Sequence, residues 1–342
     1  MARLTIHRAG PALSVQDLGR PGHLSEGLSP GGAADRLALF EAAALLGLPA
    51  VVPAIEMASM GGRFSTDTPM RIALTGAPMK AALDGAPLPW PSSLLLLPGQ
   101  MLEVGGATAG IYGYLTPAGG IATPEWLGSR AAHLVIGVGR PLAAGESLPL
   151  GPDPAPNAPA QTLDPEPRFA GGTLRLMPGP QTGLFDAATL ERIQATAFTR
   201  SAQANRQGIR LDHEGDPFPA AGAKGLASDF ILTGDVQMIG EGIPFVLMAE
   251  CQTIGGYPRL GTVLPDDLPK IAQAPMGAGL RLALVPLEEA DALWQSDDTR
   301  LRALRKRVRP LIRDPRDIPD LLGYQLIGGM TRGDDLDRKD IP

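Results

Sequence analysis

Forty-three glycines and 35 prolines are spread through the 342 residues of this chain with no G-X-Y period. Glycine reaches backbone conformations closed to other residues, and proline cannot continue a helix. A chain so punctuated is cut into short segments joined by tight turns. A helical bundle needs long periodic runs and collagen needs the strict triplet, so both are excluded. A mainly β architecture with a few short helices follows. Charged residues are only 19% and hydrophobic ones 44%, enough apolar surface to rule out a disordered chain. The length exceeds one ordinary core and points to two units.

Strand patterns fill the first half: Arg3–His7 and Ala54–Ser59 alternate, and Arg71–Thr75, Leu94–Leu97, Met101–Val104 and Gly110–Thr116 continue the series. Lys80–Leu83 followed by Asp84-Gly85 predicts a hairpin, because Asp-Gly tolerates the positive φ angles of a type I′ turn. One helix is predicted from Ala33 to Leu46, with Leu37, Phe40 and Ala44 on a core-directed face and a stop at Gly47 and Pro49. Pro149 to Gly172 holds seven prolines and almost no large apolar side chains; it reads as a linker that buries little.

The second half predicts a strand at Thr173–Met177, a helix from Asp186 to Gln194, and strands around Phe198, Ile209, Phe230 and Phe245–Ala249. A short helix at Asp266–Gln273, capped by Asp266, and a strand at Leu280–Val285 complete it. Pro286 to Arg309 reads as one charged helix, acidic first and basic last, as the helix dipole favours. Its stripe Leu301, Leu304, Val308 and Leu311 is expected to pack on the body, leaving Arg300, Arg302, Arg305, Lys306, Arg307 and Arg309 solvated.

A net charge of −6 argues against a nucleic-acid-binding body. Cys251 is the sole cysteine, so no disulfide within the chain and no cysteine zinc cage is available, and a small buried residue is the expectation for it. His7, His23, His133 and His213 are scattered without metal-ligand spacing, so no metal site is expected. The N-terminus carries Arg3, Arg8 and Asp17 without an apolar signal core, and no run approaches a membrane span. A cytoplasmic protein is the expectation. No GxxxxGK[ST] and no strand-linked GxGxxG occurs.

Three segments carry chemistry. The apolar strand Pro244–Ala249 ends in Glu250-Cys251-Gln252-Thr253-Ile254-Gly255-Gly256-Tyr257, placing polar groups where a pocket can open and glycines where backbone N–H groups approach a ligand. A bulge whose polar groups serve the local backbone is the alternative. Asn205-Arg206-Gln207-Gly208-Ile209-Arg210 offers two guanidiniums for a carboxylate or phosphate, or else for salt bridges. Gln16, Asp17 and Arg20 lie in a constrained loop, for which bracing by an Asp17–Arg20 pair is the simplest reading.

With Pro30-Gly31-Gly32-Ala33-Ala34-Asp35, Leu74-Thr75-Gly76-Ala77, Ala118-Gly119-Gly120-Ile121, Leu127-Gly128-Ser129-Arg130 and Gly179-Pro180-Gln181, these segments run collinearly from about Leu4 to Val285. In that order they resemble the family described as the C component of 5-oxoprolinase, allophanate hydrolase subunit 2 or the biotin-dependent carboxyltransferase-like (KipA) family. The resemblance implies two cyclophilin-like β-barrel halves, here 1–150 and 173–286, with a linker at 151–172 and a charged helical tail at 287–342. It also implies ATP-dependent opening of 5-oxo-L-proline to L-glutamate, with ATP shared among this chain and the 5-oxoprolinase B and A partner components. A lactam is a poor electrophile until its oxygen is phosphorylated, and cationic groups must meet the developing charge.

On this resemblance Arg206 and Arg210 are candidates for phosphate or substrate carboxylate, and Glu250, with Arg210 beside it, for orienting or deprotonating water. Gln252, Thr253 and Tyr257 would bond the ring amide, and Gly255 and Gly256 would supply N–H groups. Asn205, Gln16, Asp17, Arg20, Ser129 and Arg130 complete the candidate substrate-binding set. The chain departs from the family pattern at Pro78, Ala122, Ala131, Ala43 and Leu48, and carries Glu250 where Asp is usual. Two rival functions are a carboxyltransferase that takes carboxybiotin and acts on urea or a related amide, and a noncatalytic module that binds a kinase-inhibitor partner.

Overall fold

The computed structural model describes residues 2–221, 225–240 and 242–312. In the first half, a six-stranded sheet runs in the order Ser147–Pro149, Arg3–Arg8, Arg63–Thr66, Leu102–Ala107, Met79–Leu83, Ala86–Leu88. A seven-stranded sheet runs Ser14–Gln16, Ala54–Ala58, Tyr112–Pro117, Met70–Gly76, Ser92–Leu96, Gln161–Thr162, Arg309–Pro310. Their facing side chains make one core: Leu4, Ile6, Phe64 and Leu102 from the first sheet meet Ile55, Ile72, Leu74 and Leu96 from the second. Period-2 alternation produces this, because every second residue of a strand faces the same side. The hairpin forms where Asp-Gly required it, with φ of 49° at Asp84 and 84° at Gly85.

The second half is a closed seven-stranded barrel in the order Gly172–Met177, Arg259–Val263, Asp235–Ile239, Ile243–Leu247, Gly208–Asp212, Phe198–Ala204, Gly279–Leu284. Parallel pairing of Gly172–Met177 with Gly279–Leu284 closes it. The chain is thus mainly β, with five short α-helices among the described residues: α1 (Arg36–Leu46), α2 (Ala187–Ala195), α3 (Leu268–Gln273), α4 (Leu287–Leu293) and α5 (Asp297–Arg305). None of them is long and apolar enough to cross a membrane.

Helix α1 starts later than expected because Asp35 caps it, accepting the Ala38 N–H at 3.2 Å. The sequence pattern predicts a single core-directed face, yet every residue from Leu37 to Leu46 is buried. The seven-stranded sheet covers one side of α1, and α5 covers another, adding Leu301 and Leu304 to the same core. The single tail helix expected over Pro286–Arg309 is instead α4 and α5, broken at Trp294 and restarted by Ser296, whose Oγ accepts the Thr299 N–H. Its basic side is pinned as well as solvated: Arg300 pairs with Asp266, Arg307 with Glu166 at 2.7 Å, Arg309 with Asp164 at 2.8 Å, and Arg305 donates to the Leu48 carbonyl. Asp266 is therefore not the cap of α3. Residues 313–342 of the expected tail lie outside the described residues.

The expectation that the 151–172 segment buries little is also corrected. Asp153 forms a buried bidentate pair with Arg71, and Leu163 joins the first core. Arg168 reaches Asp35 and Glu41 of the α1 region at 2.7 Å each. Prolines forbid a long strand here, but they leave single side chains free to act as anchors. Gln273 of α3 ties the barrel to the first half: its Oε1 accepts the Ile111 and Tyr112 N–H groups, and its Nε2 donates to Asp35 and the Tyr112 carbonyl.

Candidate functional site

Where the two halves meet, a cleft of about 320 Å³ is lined by Gly27, Ser29, His133, Gln207, Glu250 and Thr253. Apolar Leu28, Val135, Ile136 and Ile254 form the rest of its wall with Cys251 and Gln252. Each polar residue has a positional cause. The strand Ile243–Leu247 stops before Met248, so Glu250 sits just beyond a barrel edge. Its N–H donates to the Arg206 carbonyl at 2.8 Å, which fixes the turn. The loop carrying Ser29 is pressed onto this edge by a Gly31 N–H to Ala249 carbonyl bond of 2.9 Å. Gly31 holds a φ of +65°, and any side chain there would stand 3.2 Å from the His133 ring.

Glu250 is 1% exposed. One carboxylate oxygen accepts from Arg206 Nε at 2.5 Å, and the other accepts the Val135 N–H at 3.1 Å. Arg206 is fully engaged by the protein. Its Nη1 donates to Glu56 at 2.5 Å and its Nη2 to the Gly32 carbonyl at 2.5 Å. Burial opposes the charge on Arg206, but Glu56 and Glu250 more than offset it and hold its pKa above the ordinary value. Glu56 is itself held by the Tyr114 hydroxyl at 2.6 Å and the Ala34 N–H at 2.8 Å. Arg206 is thus a clasp between the halves, with all three guanidinium nitrogens spent on protein acceptors.

The expected position of Arg210 beside Glu250 is corrected. Arg210 pairs with Asp212 on its own strand at 2.7 Å, because side chains two apart share a strand face. Asn205 closes the turn before that strand, accepting the Gln207 and Gly208 N–H groups. Gln252 and Thr253 line the cleft, whereas Gly255 pairs with Asp229 in a short ribbon and Gly256 and the half-exposed Tyr257 lie outside the lining.

Gln16, Asp17, Arg20, Ser129 and Arg130 do come together, as a brace behind the cleft. Asp17 accepts from Ser129 Oγ at 2.6 Å, the Arg130 N–H at 2.7 Å and the Gly19 N–H at 2.8 Å. Gln16 donates to the Ala132 carbonyl at 3.2 Å. The expected direct Asp17–Arg20 pair is replaced: Arg20 donates to the Ala131 and Trp126 carbonyls. Arg130 donates to the Thr123 carbonyl and pairs with Glu125 at 3.5 Å. The brace thereby sets the 129–133 loop and presents His133 to the cleft.

His133 and Ser29 carry no mark in the sequence because neither belongs to a spaced motif; their only signal is spatial. Ser29 Oγ lies 2.9 Å from His133 Nε2, and His133 Nδ1 lies 3.8 Å from Glu250. Burial pushes the His133 pKa down, Glu250 opposes this, and Arg20 and Arg206 add to it. Among the described residues no group of His, Cys, Asp and Glu has metal-holding geometry.

Cys251 is buried, and burial pushes its thiol up to about 11. Iodoacetamide at pH 7.5 is therefore expected to modify the native chain at least tenfold more slowly than the urea-unfolded chain. Equal rates, read by mass spectrometry, would show that the thiol is open.

Residues 26–284 match the family model described as carboxyltransferase domain, subdomain A and B. The chain is 35% identical over 293 residues to the C component of the 5-oxoprolinase of Escherichia coli (strain K12), covering 84% of this chain and 93% of that protein. With the corresponding 5-oxoprolinase component of Haemophilus influenzae it shares 30% identity over 299 residues, covering 86% and 95%. Its fold superposes on a crystal structure of the K. lactis urea amidolyase with a TM-score of 0.78 at 23% identity, covering 92% of this chain and 21% of that longer one.

Proposed function

Because the chain belongs to the carboxyltransferase domain, subdomain A and B family, we propose that it works as one component of a 5-oxoprolinase, opening 5-oxo-L-proline to L-glutamate with B and A partner components. The observation that carries this reading is the 35% identity extending over 93% of a protein named as the C component of that enzyme. The cleft supports it chemically. A volume of about 320 Å³ suits a small ring, and its wall pairs apolar Leu28, Val135 and Ile136 with the polar groups of Ser29, Gln207, Gln252 and Thr253. A lactam ring presents an apolar edge, an N–H donor and a carbonyl acceptor, which this lining complements.

Glu250 is the general base or water-orienting group in this reading, and Gln252 and Thr253 are the amide partners. Arg206 takes the role of a positioning residue that sets the Glu250 carboxylate. ATP is a co-substrate reaching the complex through the partner components, and the cytoplasm is the compartment that supplies it. A second reading, transfer of a carboxyl group to urea or a related amide, draws on a 28% identical relative named as a putative urea carboxylase, of which this chain spans 25%.

The two readings separate in one assay. The purified chain alone is expected to show negligible 5-oxoproline-dependent ATP hydrolysis, and activity is expected once the B and A components are added. Turnover by this chain alone would remove the shared-site reading. Silence of the full mixture, with urea-dependent decay of carboxybiotin instead, would favour the second.

A further inference from the structure

We propose that Ser29, His133 and Glu250 form a nucleophile, base and orienting acid that let this chain accept an acyl group on Ser29 Oγ from a small ester or comparable acyl donor with an oxygen leaving group. The proposal is independent of the 5-oxoprolinase reading. It rests on three buried side chains, two from the first half and one from the barrel, that all line the same cleft.

The geometry decides the tautomer. Ser29 Oγ stands 2.9 Å from His133 Nε2, and Nδ1 faces the Glu250 carboxylate at 3.8 Å with no hydrogen-bond partner among the described residues. A proton on Nε2 would leave the Nδ1 lone pair aimed at a carboxylate, which is repulsive. A proton on Nδ1 makes that contact attractive and leaves Nε2 to accept from the Ser29 hydroxyl. This is the protonation pattern that activates a serine. The separation of 3.8 Å exceeds a hydrogen bond, and such contacts commonly tighten when substrate binds. Glu250 cannot drift, since Arg206 and the Val135 N–H hold its two oxygens.

A cationic donor stands beside the same ring. Arg20 is 1% exposed, and its Nη1 has no hydrogen-bond partner among the described residues. A methyl group on Gly31 would lie 3.2 Å from the His133 ring and 3.4 Å from that nitrogen, so only a glycine there lets the loop pack against both. Arg20 does not line the cleft itself, so it bears on the site through its charge, which adds to the lowering of the His133 pKa.

In the acylation step the Ser29 oxygen bonds to the carbonyl carbon, its proton moves to His133 Nε2, and the carbonyl electron pair moves onto oxygen. Return of that pair breaks the carbon–oxygen bond to the leaving group, which takes the proton from Nε2. Water then adds to the acyl-serine with His133 again accepting a proton, and releases a carboxylic acid and the free hydroxyl.

The test uses the full chain with p-nitrophenyl acetate. A burst of nitrophenolate and an acetyl group on the Ser29 peptide, located by mass spectrometry, are expected. Ser29→Ala should abolish the adduct, and His133→Gln should slow acylation by about 100-fold or more. Should Ser29→Ala melt early, Ser29→Cys keeps a nucleophile of similar size and should take the acetyl group on sulfur. The charged groups facing His133 are Glu250, Arg20 and Arg206, so the rate should level off at a pH below the ordinary histidine range. Glu250→Gln should move that inflection lower still, which a merely structural Glu250 would not do. Acetylation only at lysines, or acetyl-Ser29 forming equally fast in His133→Gln, would overturn the proposal.

Discussion

Replacing Arg206 with methionine is expected to cost about 3–5 kcal/mol of folding stability, because it strands two buried carboxylates. Glu56 and Glu250 are 2% and 1% exposed, and both receive a 2.5 Å hydrogen bond from this guanidinium. Methionine fills much of the space but offers no donor. The third bond, to the Gly32 carbonyl, is lost as well. Since Glu56 belongs to the first half and Glu250 to the barrel, the loss should also loosen the cleft between them. Urea unfolding should show the change in midpoint, and the Arg206→Met, Glu56→Gln double variant should recover part of it by removing one stranded charge. Arg206→Lys keeps the charge without the planar fork and should fall between the two. A methionine variant as stable as the parent would mean that Arg206 does not clasp the halves.

Arg168→Met should be damaging to a similar degree, about 3–5 kcal/mol, for a deeper reason. Arg168 bonds Asp35 through Nε at 2.7 Å and Glu41 through Nη1 and Nη2 at 2.9 and 2.7 Å, and both carboxylates are inaccessible to water. Burial works against the Arg168 charge, yet the two acids outweigh it and raise its pKa. Burial likewise pushes Glu41 up against the pull of Arg168. Without the arginine that upward shift has no opposition, so the native state of the variant binds a proton that the unfolded chain binds only near the ordinary value of 4.5. Native-state proton binding then exceeds that of the unfolded state, and stability rises as pH falls. The deficit of Arg168→Met should therefore shrink between neutral pH and about pH 5. A deficit that grows over that window would show that Glu41 is not the stranded group. Asp35 retains Gln273 Nε2 at 2.8 Å, so Arg168→Met with Glu41→Leu should restore most of the loss.

Local chemistry was legible where one stretch of chain carries the whole cause. Asp84-Gly85 turned as its φ angles required, and the helix expected from Asp186 to Gln194 forms as α2, Ala187–Ala195. Arg206 and Glu250, 44 residues apart, meet at 2.5 Å, a pairing that the family resemblance implied and no single stretch of the sequence shows. Arg210 does not join them, because a strand neighbour, Asp212, was closer than any distant acid. The α1 pattern showed one apolar face, but its burial all round depends on α5, which lies at the far end of the described chain.

The amino-acid sequence by itself determined the β class, the positions of most strands and turns, and the polar strand end at Glu250. Those depend on backbone freedom, side-chain alternation and hydrogen bonds between near neighbours, which act over a few residues. Only the tertiary structure decided that Arg168 would leave a proline-rich segment to bury itself against α1, and that Ser29 and His133 would face Glu250 in one cleft. Such meetings are set by how sheets stack and which loops are pressed together. A serine and a histidine 104 residues apart carry no local mark of a contact that exists only once both halves have packed.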